Sequence, residues 1–144
     1  MTHTDERTQR LITLFETLSP ADLDRLPQFY DAQARFKDPF NDVQGHAAIR
    51  AVFAHMYVAL QEPRFVVKQA LVEGDQAFLV WDFLFRFRRF SSELQTVRGS
   101  THIQYNAQGL VTLHRDYWDA AEELYEKLPV VGGLMRWLKA RANS

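Results

Sequence analysis

Apolar residues recur at helical spacing in the first part of the chain and at alternate positions in the second. Leu11, Leu14, Phe15 and Leu18 form one stripe and predict a helix over residues 5–18. Ser19 and Pro20 fit the cap and first turn of a second, short helix carrying Leu23, Leu26 and Phe29, with Pro27 inside it. From Tyr30 onward, Ala32, Ala34, Phe36 and Asp38 alternate with more polar neighbours. This predicts a short strand stopped by Pro39, with a loop over residues 41–45. Ile49, Val52, Phe53, Met56 and Leu60 make the clearest helical stripe, over residues 46–61, with Pro63 past its end. The period then changes to two. Strands are predicted at residues 64–73, 76–90, 96–105 and 110–117, parted by turns at Gly74-Asp75, residues 91–95 and Asn106 to Gly109. A short helix over 119–128 follows, and Pro129 and Gly132-Gly133 separate it from a last helical stretch at 134–142.

Helices grouped first and a meander grouped last imply α+β rather than alternating α/β. The expected architecture is a strongly bent mixed sheet of four long strands and one short one, wrapped around three N-terminal helices. Residues 1–128 would form the domain and 129–144 an amphipathic C-terminal helical tail. A chain of 144 residues, 47% hydrophobic and 13% aromatic, suits one domain with a large aromatic core. With 17 basic against 18 acidic residues there is no basic excess to attract nucleic acid. The lack of cysteine excludes disulfides, thiol catalysis and thiolate metal sites. No apolar run approaches the ~20 residues of a membrane span, and the polar start, Met1 to Arg7, lacks a signal core. The expected location is the cytoplasm.

Two stretches carry a family resemblance. Ala34-Arg-Phe-Lys-Asp-Pro-Phe40 followed by Gly45-His-Ala-Ala-Ile-Arg50 is similar to the strand, loop and helix start of the ketosteroid isomerases. Gln108-Gly-Leu-Val-Thr-Leu-His-Arg-Asp-Tyr-Trp-Asp119 is similar to the final turn and strand of the limonene epoxide hydrolases. With the element order, these resemble the nuclear-transport-factor-2-like superfamily, which also holds the SnoaL-like polyketide cyclases, over about residues 8–120. The resemblance implies a cone-shaped fold. It leaves the reaction open, because the fold hosts many chemistries.

Three carboxylates are candidate catalytic groups. Asp38 matches the proton-shuttling base of the isomerases, and a carboxylate at a strand end facing an apolar cavity is suited to proton transfer. An Asp before Pro is equally ordinary turn chemistry. Strand alternation places His114, Asp116 and Trp118 on one face, and in the hydrolase resemblance the carboxylate matching Asp116 is a base on water; capping of the following helix is the alternative. Asp82 sits inside the apolar run from Phe78 to Phe85, where a charge is expensive unless paired or functional. The hydrolase arginine that accompanies it is replaced by Val80, with Arg86 as a partial substitute. Phe15 and Thr101 stand where the isomerases carry their oxyanion donors, the Tyr and protonated Asp that also serve as a general illustration of such a hole.

The remaining lining of the expected pocket is Tyr30, Phe36, Phe53, Met56, Tyr105, His114 and Trp118, with Phe15 and Thr101. If Asp82 faces inward, Thr101 rather than His102 shares its face, a choice that a one-residue slip inverts. His46, His55, His102 and His114 show no ligand spacing, so neither metal nor cofactor is expected. Trp81, Phe83, Phe85 and Phe87 alternate with Asp82. An inward Asp82 would put this stripe on the outer sheet face, as an apolar patch for a homodimer; the alternative is a stripe in the core with Asp82 in water. The tail, with Arg136, Lys139 and Arg141, suits packing on the domain or a partner subunit better than a membrane surface. The function expected is acid/base chemistry of isomerase or cyclase type on a small apolar molecule, with Asp38 as the proton-transfer base and Asp116 or Asp82 held protonated as donor. The alternative is a non-catalytic module for a hydrophobic ligand or partner.

Overall fold

The helix α1, Glu6–Glu16, starts where Asp5 accepts a hydrogen bond from the Thr8 amide, and buries Leu11, Ile12, Leu14 and Phe15. The structure, a computed structural model, describes residues 5–87, 93–123 and 140–142. The second helix is a 3₁₀ segment, Pro20–Gln28. Pro20 and Pro27 each lack an amide donor, which favours the short, tight form. Strand β1, Tyr30–Lys37, leads into β2, Asp42–Gln44. Strand β2 lies where a loop over residues 41–45 is expected, because a three-residue strand has little room to show alternation. Gly45, at φ +93, turns the chain into α2, His46–Ala59, which buries Ile49 and Phe53.

The remaining strands are β3, Leu60–Glu73; β4, Gln76–Phe87; β5, Leu94–Tyr105; and β6, Val111–Tyr117. Strand β3 begins at Leu60, without the loop expected around Pro63. Pro63 falls in the register break between Gln61 and Arg64, on an edge strand where a missing amide is tolerated. The sheet order is β2-β1-β6-β5-β4-β3, with β1 and β6 parallel and all other neighbours antiparallel. This is the mixed, curved sheet expected, with six strands instead of five, packed against α1, the 3₁₀ segment and α2. After β6, the short helix α3, Ala120–Glu123, is held by Arg98 Nε to Glu123 at 2.9 Å. The proposed boundary at 128 and most of the 129–144 tail, including Arg136 and Lys139, lie outside the described residues.

Strand β4 decides where the interior lies. Ala77, Leu79, Trp81 and Phe85 are buried, while Phe78 and Val80 are 45% and 42% exposed on the opposite side. The aromatic stripe therefore faces inward and Asp82 outward, opposite to the orientation that an inward Asp82 required. Burying a row of large rings removes far more apolar area from water than burying the residues that alternate with them.

Candidate functional site

The inner faces of β1, β3, β4, β5 and β6 and one side of α2 enclose a cavity of about 470 Å³. Helix α2 supplies Val52, Phe53, His55, Met56 and Ala59; strands β3 and β4 supply Leu60, Phe65, Trp81, Phe83, Phe85 and Phe87. Val97, Phe36, Asp38, Phe40, Asn41, Asp116 and Trp118 complete the wall. Nine of these eighteen residues are aromatic and four carry polar side chains outside the rings: Asp38, Asn41, His55 and Asp116. The volume falls within the ordinary range for small-molecule sites, and such walls favour a flat, mainly apolar guest.

Strand pairing brings two of the three candidate carboxylates together. Phe36 registers with His114 and Lys37 with Arg115 across the parallel β1–β6 pair. Asp38 and Asp116 stand one step further along, and both line the cavity. Asp38 Oδ1 accepts from the Phe40 amide at 2.8 Å, the Asn41 amide at 2.7 Å and Asn41 Nδ2 at 3.1 Å, and Oδ2 accepts from Asn41 Nδ2 at 3.2 Å. The turn chemistry anticipated for an Asp before Pro is thus present in full.

Asp116 is held differently. Its Oδ1 accepts from Thr101 Oγ1 at 2.6 Å and lies 2.9 Å from His114 Nε2. Trp81 Nε1 donates to Thr101 Oγ1 at 2.7 Å. An indole N–H can only donate, so the Thr101 oxygen receives that bond and sends its own proton to Asp116. The indole reaches Thr101 by lying over Gly99, where a Cβ would come within 2.5 Å of Trp81 Cη2. On the other side, His114 Nδ1 lies 2.7 Å from the hydroxyl of Tyr30, a fully buried residue. Burial first, then the charge of Asp116, pushes the Tyr30 phenol well above its ordinary range. No described residue binds Oδ2 of Asp116.

Phe15, Thr101 and His114 line a small recess of about 20 Å³ behind the cavity, together with Asp116. The recess shares Phe53, Phe65, Trp81 and Asp116 with the cavity wall. Tyr30 and Tyr105 do not line the cavity: the Tyr30 hydroxyl bonds His114 behind it at 2.7 Å, and the Tyr105 hydroxyl bonds Thr8 on α1 at 2.8 Å. Asp82 lies on the outer face, 3.8 Å from Lys68 Nζ and registered with Arg98. Val80 shares that face, as does Arg86, 4.0 Å from Glu62. The hydrolase-like grouping of Asp82 with an arginine is therefore absent from the cavity. Thr101 does point inward and His102 outward, the latter bonded to Gln76 and stacked on Phe78. Thr101 registers with Leu79, so it shares its face with Trp81 and not with Asp82. The aromatic stripe forms the cavity wall, the alternative in which Asp82 faces outward, so it offers no outer apolar patch on which a homodimer could form. Trp81 and its three neighbours were legible as a period-two stripe, but the period alone could not say which way it faces. Among the described residues no three His, Asp or Glu side chains converge as metal ligands would.

A profile of the SnoaL-like domain family matches residues 11–114. No functionally curated protein matches the sequence. Several solved structures share the fold. A hypothetical protein with a ketosteroid isomerase-like fold from Catenulispora acidiphila, solved with trimethylamine, superposes with TM-score 0.72 at 15% identity, over 85% of this chain and 92% of its own. A SnoaL-like polyketide cyclase, by provisional assignment, from Shewanella putrefaciens gives TM-score 0.70 at 16% identity, over 85% and 98%. TerC, crystallised with polyporic acid, gives 0.71 at 14% identity, over 82% and 95%.

Proposed function

The chain belongs to the SnoaL-like family, and from that premise we propose that it moves protons on a small, flat, largely apolar molecule, with Asp116 as general base. One observation carries this reading. Asp116 has one oxygen fixed by Thr101 and His114, the other free of partners among the described residues, and an aromatic cavity in front of it. A carboxylate that cannot rotate away presents its basic lone pair in one direction, and a positioned base of this kind contributes ~10²–10⁴ in rate.

The chemistry that suits it is proton removal from carbon beside a carbonyl. Oδ2 takes the proton and the electron pair passes to the carbonyl oxygen as an enolate. In an isomerase-like reaction the same proton returns at another carbon. In a cyclase-like reaction the enolate carbon bonds a second carbonyl carbon, and the oxygen of that carbonyl takes the proton from Asp116. The provisional assignment of a neighbour as a polyketide cyclase and the capture of polyporic acid by TerC support flat carbonyl compounds as the first probes.

A second reading, a binding module without turnover, has its own support. Phe15 offers no polar group, and Thr101 commits its proton to Asp116, so neither gives the cavity an oxyanion donor. Deuterium incorporation separates the two. Flat aromatic ketones such as 2-tetralone are incubated with the protein in heavy water and analysed by mass spectrometry, with binding of these ketones and of polyporic acid followed by tryptophan fluorescence. The wild type is expected to accelerate exchange, and Asp116→Asn to lose at least ~100-fold of that acceleration while binding stays within a few-fold. Binding without exchange in the wild type would leave the module; absence of both would remove either reading.

A further inference from the structure

His114 is 4% exposed, and the rings of Phe15, Tyr30, Phe36 and Phe53 lie around it with centroids 4.6 to 6.4 Å away. Both of its nitrogens are engaged, Nδ1 by Tyr30 and Nε2 by Asp116. Three proton arrangements are possible. With the proton on Nδ1 alone, the Nε2 lone pair faces a carboxylate oxygen and the Tyr30 hydroxyl proton has no acceptor. With both nitrogens protonated, Tyr30 must accept, and its own proton is again left in the core without an acceptor among the described residues. With the proton on Nε2 alone, Tyr30 donates to Nδ1, Nε2–H donates to Asp116, and every group is satisfied. Buried polar groups are paired as a rule, so only the third arrangement fits.

We infer that Tyr30 is a positioning residue: its buried hydroxyl donates to His114 Nδ1, keeps that nitrogen free of a proton, and fixes His114 as a neutral donor aimed at Asp116. The ionisable groups facing the ring are Tyr30 from β1 and Asp116 from β6. Helix α1, helix α2 and strand β5 present Phe15, Phe53 and Thr101, which do not titrate. His46, the other histidine near Tyr30, bonds the Tyr30 carbonyl at 2.6 Å and not its hydroxyl. The consequence for catalysis rests on Asp116 being the base. An imidazolium at this position would stabilise the carboxylate and weaken it as a base, whereas a neutral imidazole orients it without an opposing charge.

The proton assignment is tested apart from activity. Long-range proton–nitrogen correlation on the ¹⁵N-labelled full chain at pH 7.5 is expected to show His114 protonated at Nε2 and bare at Nδ1. A proton on Nδ1, alone or with Nε2, overturns the inference. In Tyr30→Phe, which removes one oxygen, His114 is expected to lose the single Nε2–H form and to show the averaged nitrogen shifts of exchanging tautomers at pH 7.5. A Tyr30→Phe spectrum that keeps the wild-type Nε2–H pattern removes Tyr30 from the role. Should Tyr30→Phe fail to fold, the wild-type spectrum still decides the proton assignment. An Nε2–H spectrum in a protein that catalyses no exchange would uphold the assignment while the base reading fails.

Discussion

Asp38 and Asp116 face one cavity from neighbouring strands, yet they are held in opposite ways. Asp38 is fixed by its own loop: among the described residues, every hydrogen bond it accepts comes from Phe40 or Asn41, two and three residues away. Asp116 is held by one near and one distant residue, His114 two positions away and Thr101 on β5 15 positions away, and each of these is itself held from afar, by Tyr30 on β1 and Trp81 on β4. The first arrangement uses the carboxylate to shape a turn. The second uses four side chains to shape the carboxylate and leaves Oδ2 without a partner among the described residues. Two acids on one cavity wall are thus separated by the origin of their supporting donors and not by their location.

The sharpest way to break this contrast is to disturb the distant support without touching Asp116. In Gly99→Ala the new methyl would meet Trp81 Cη2 at 2.5 Å, displacing the indole that directs Thr101. Overpacking of this kind costs ~1–3 kcal/mol, to be read from urea unfolding at pH 7. Exchange should fall along with stability, because Thr101 loses the bond that aims its proton. If Gly99→Ala unfolds as late as the wild type and keeps full exchange, tertiary support is not what holds Asp116.

The next test addresses the local carboxylate. Asp38→Ala leaves the amides of Phe40 and Asn41 without their acceptor, but the loop is partly exposed and water can replace it. The expected loss is about 1 kcal/mol, as for a helix cap, with exchange reduced far less than the hundredfold expected for Asp116→Asn. A large loss of exchange at unchanged stability would restore Asp38 as the base, the role its likeness to the isomerases implies.

What the sequence revealed follows the same division. Features set by neighbours along the chain were legible: the stripe of α2, the period of β4 to β6, the turn-forming Asp38-Pro39, and the shared face of His114, Asp116 and Trp118. Features set by partners far along the chain were not. Alternation on β4 separates Trp81, Phe83, Phe85 and Phe87 from Asp82, but it does not say which set is inside; that is settled by the rings packing against Phe65 and α2. The link from Tyr30 to His114 spans 84 positions and the link from Trp81 to Thr101 spans 20. No local pattern announces either, so Tyr30 and Thr101 were placed on the cavity wall when they stand behind it.

The smallest expected effect comes from a third carboxylate of the local kind, which tests whether such groups reveal themselves through stability and not through chemistry. Asp5 caps α1, and the hydrogen bond from Arg7, aided by the Thr8 amide, brings its pKa down to about 2 from an ordinary 3.8. Arg7 also binds Asp75 and the Gly74 carbonyl, tying α1 to the β3–β4 turn. Because the folded pKa lies below the unfolded one, ionised Asp5 stabilises the fold above about pH 4, and that contribution is lost as pH falls toward 2. Asp5→Asn keeps a capping oxygen and loses the charge, so at pH 7 it should be less stable than wild type by at most about 1 kcal/mol. The gap should close between pH 4 and pH 2, with exchange at pH 7 unchanged. A gap that persists to pH 2 would mean that the cap geometry, and not the charge shared with Arg7, is what Asp5 contributes. A loss of exchange would mean that the strap between α1 and the β3–β4 turn reaches Asp116 through Tyr105 or Phe15, and the division between local and distant carboxylates would have to be redrawn.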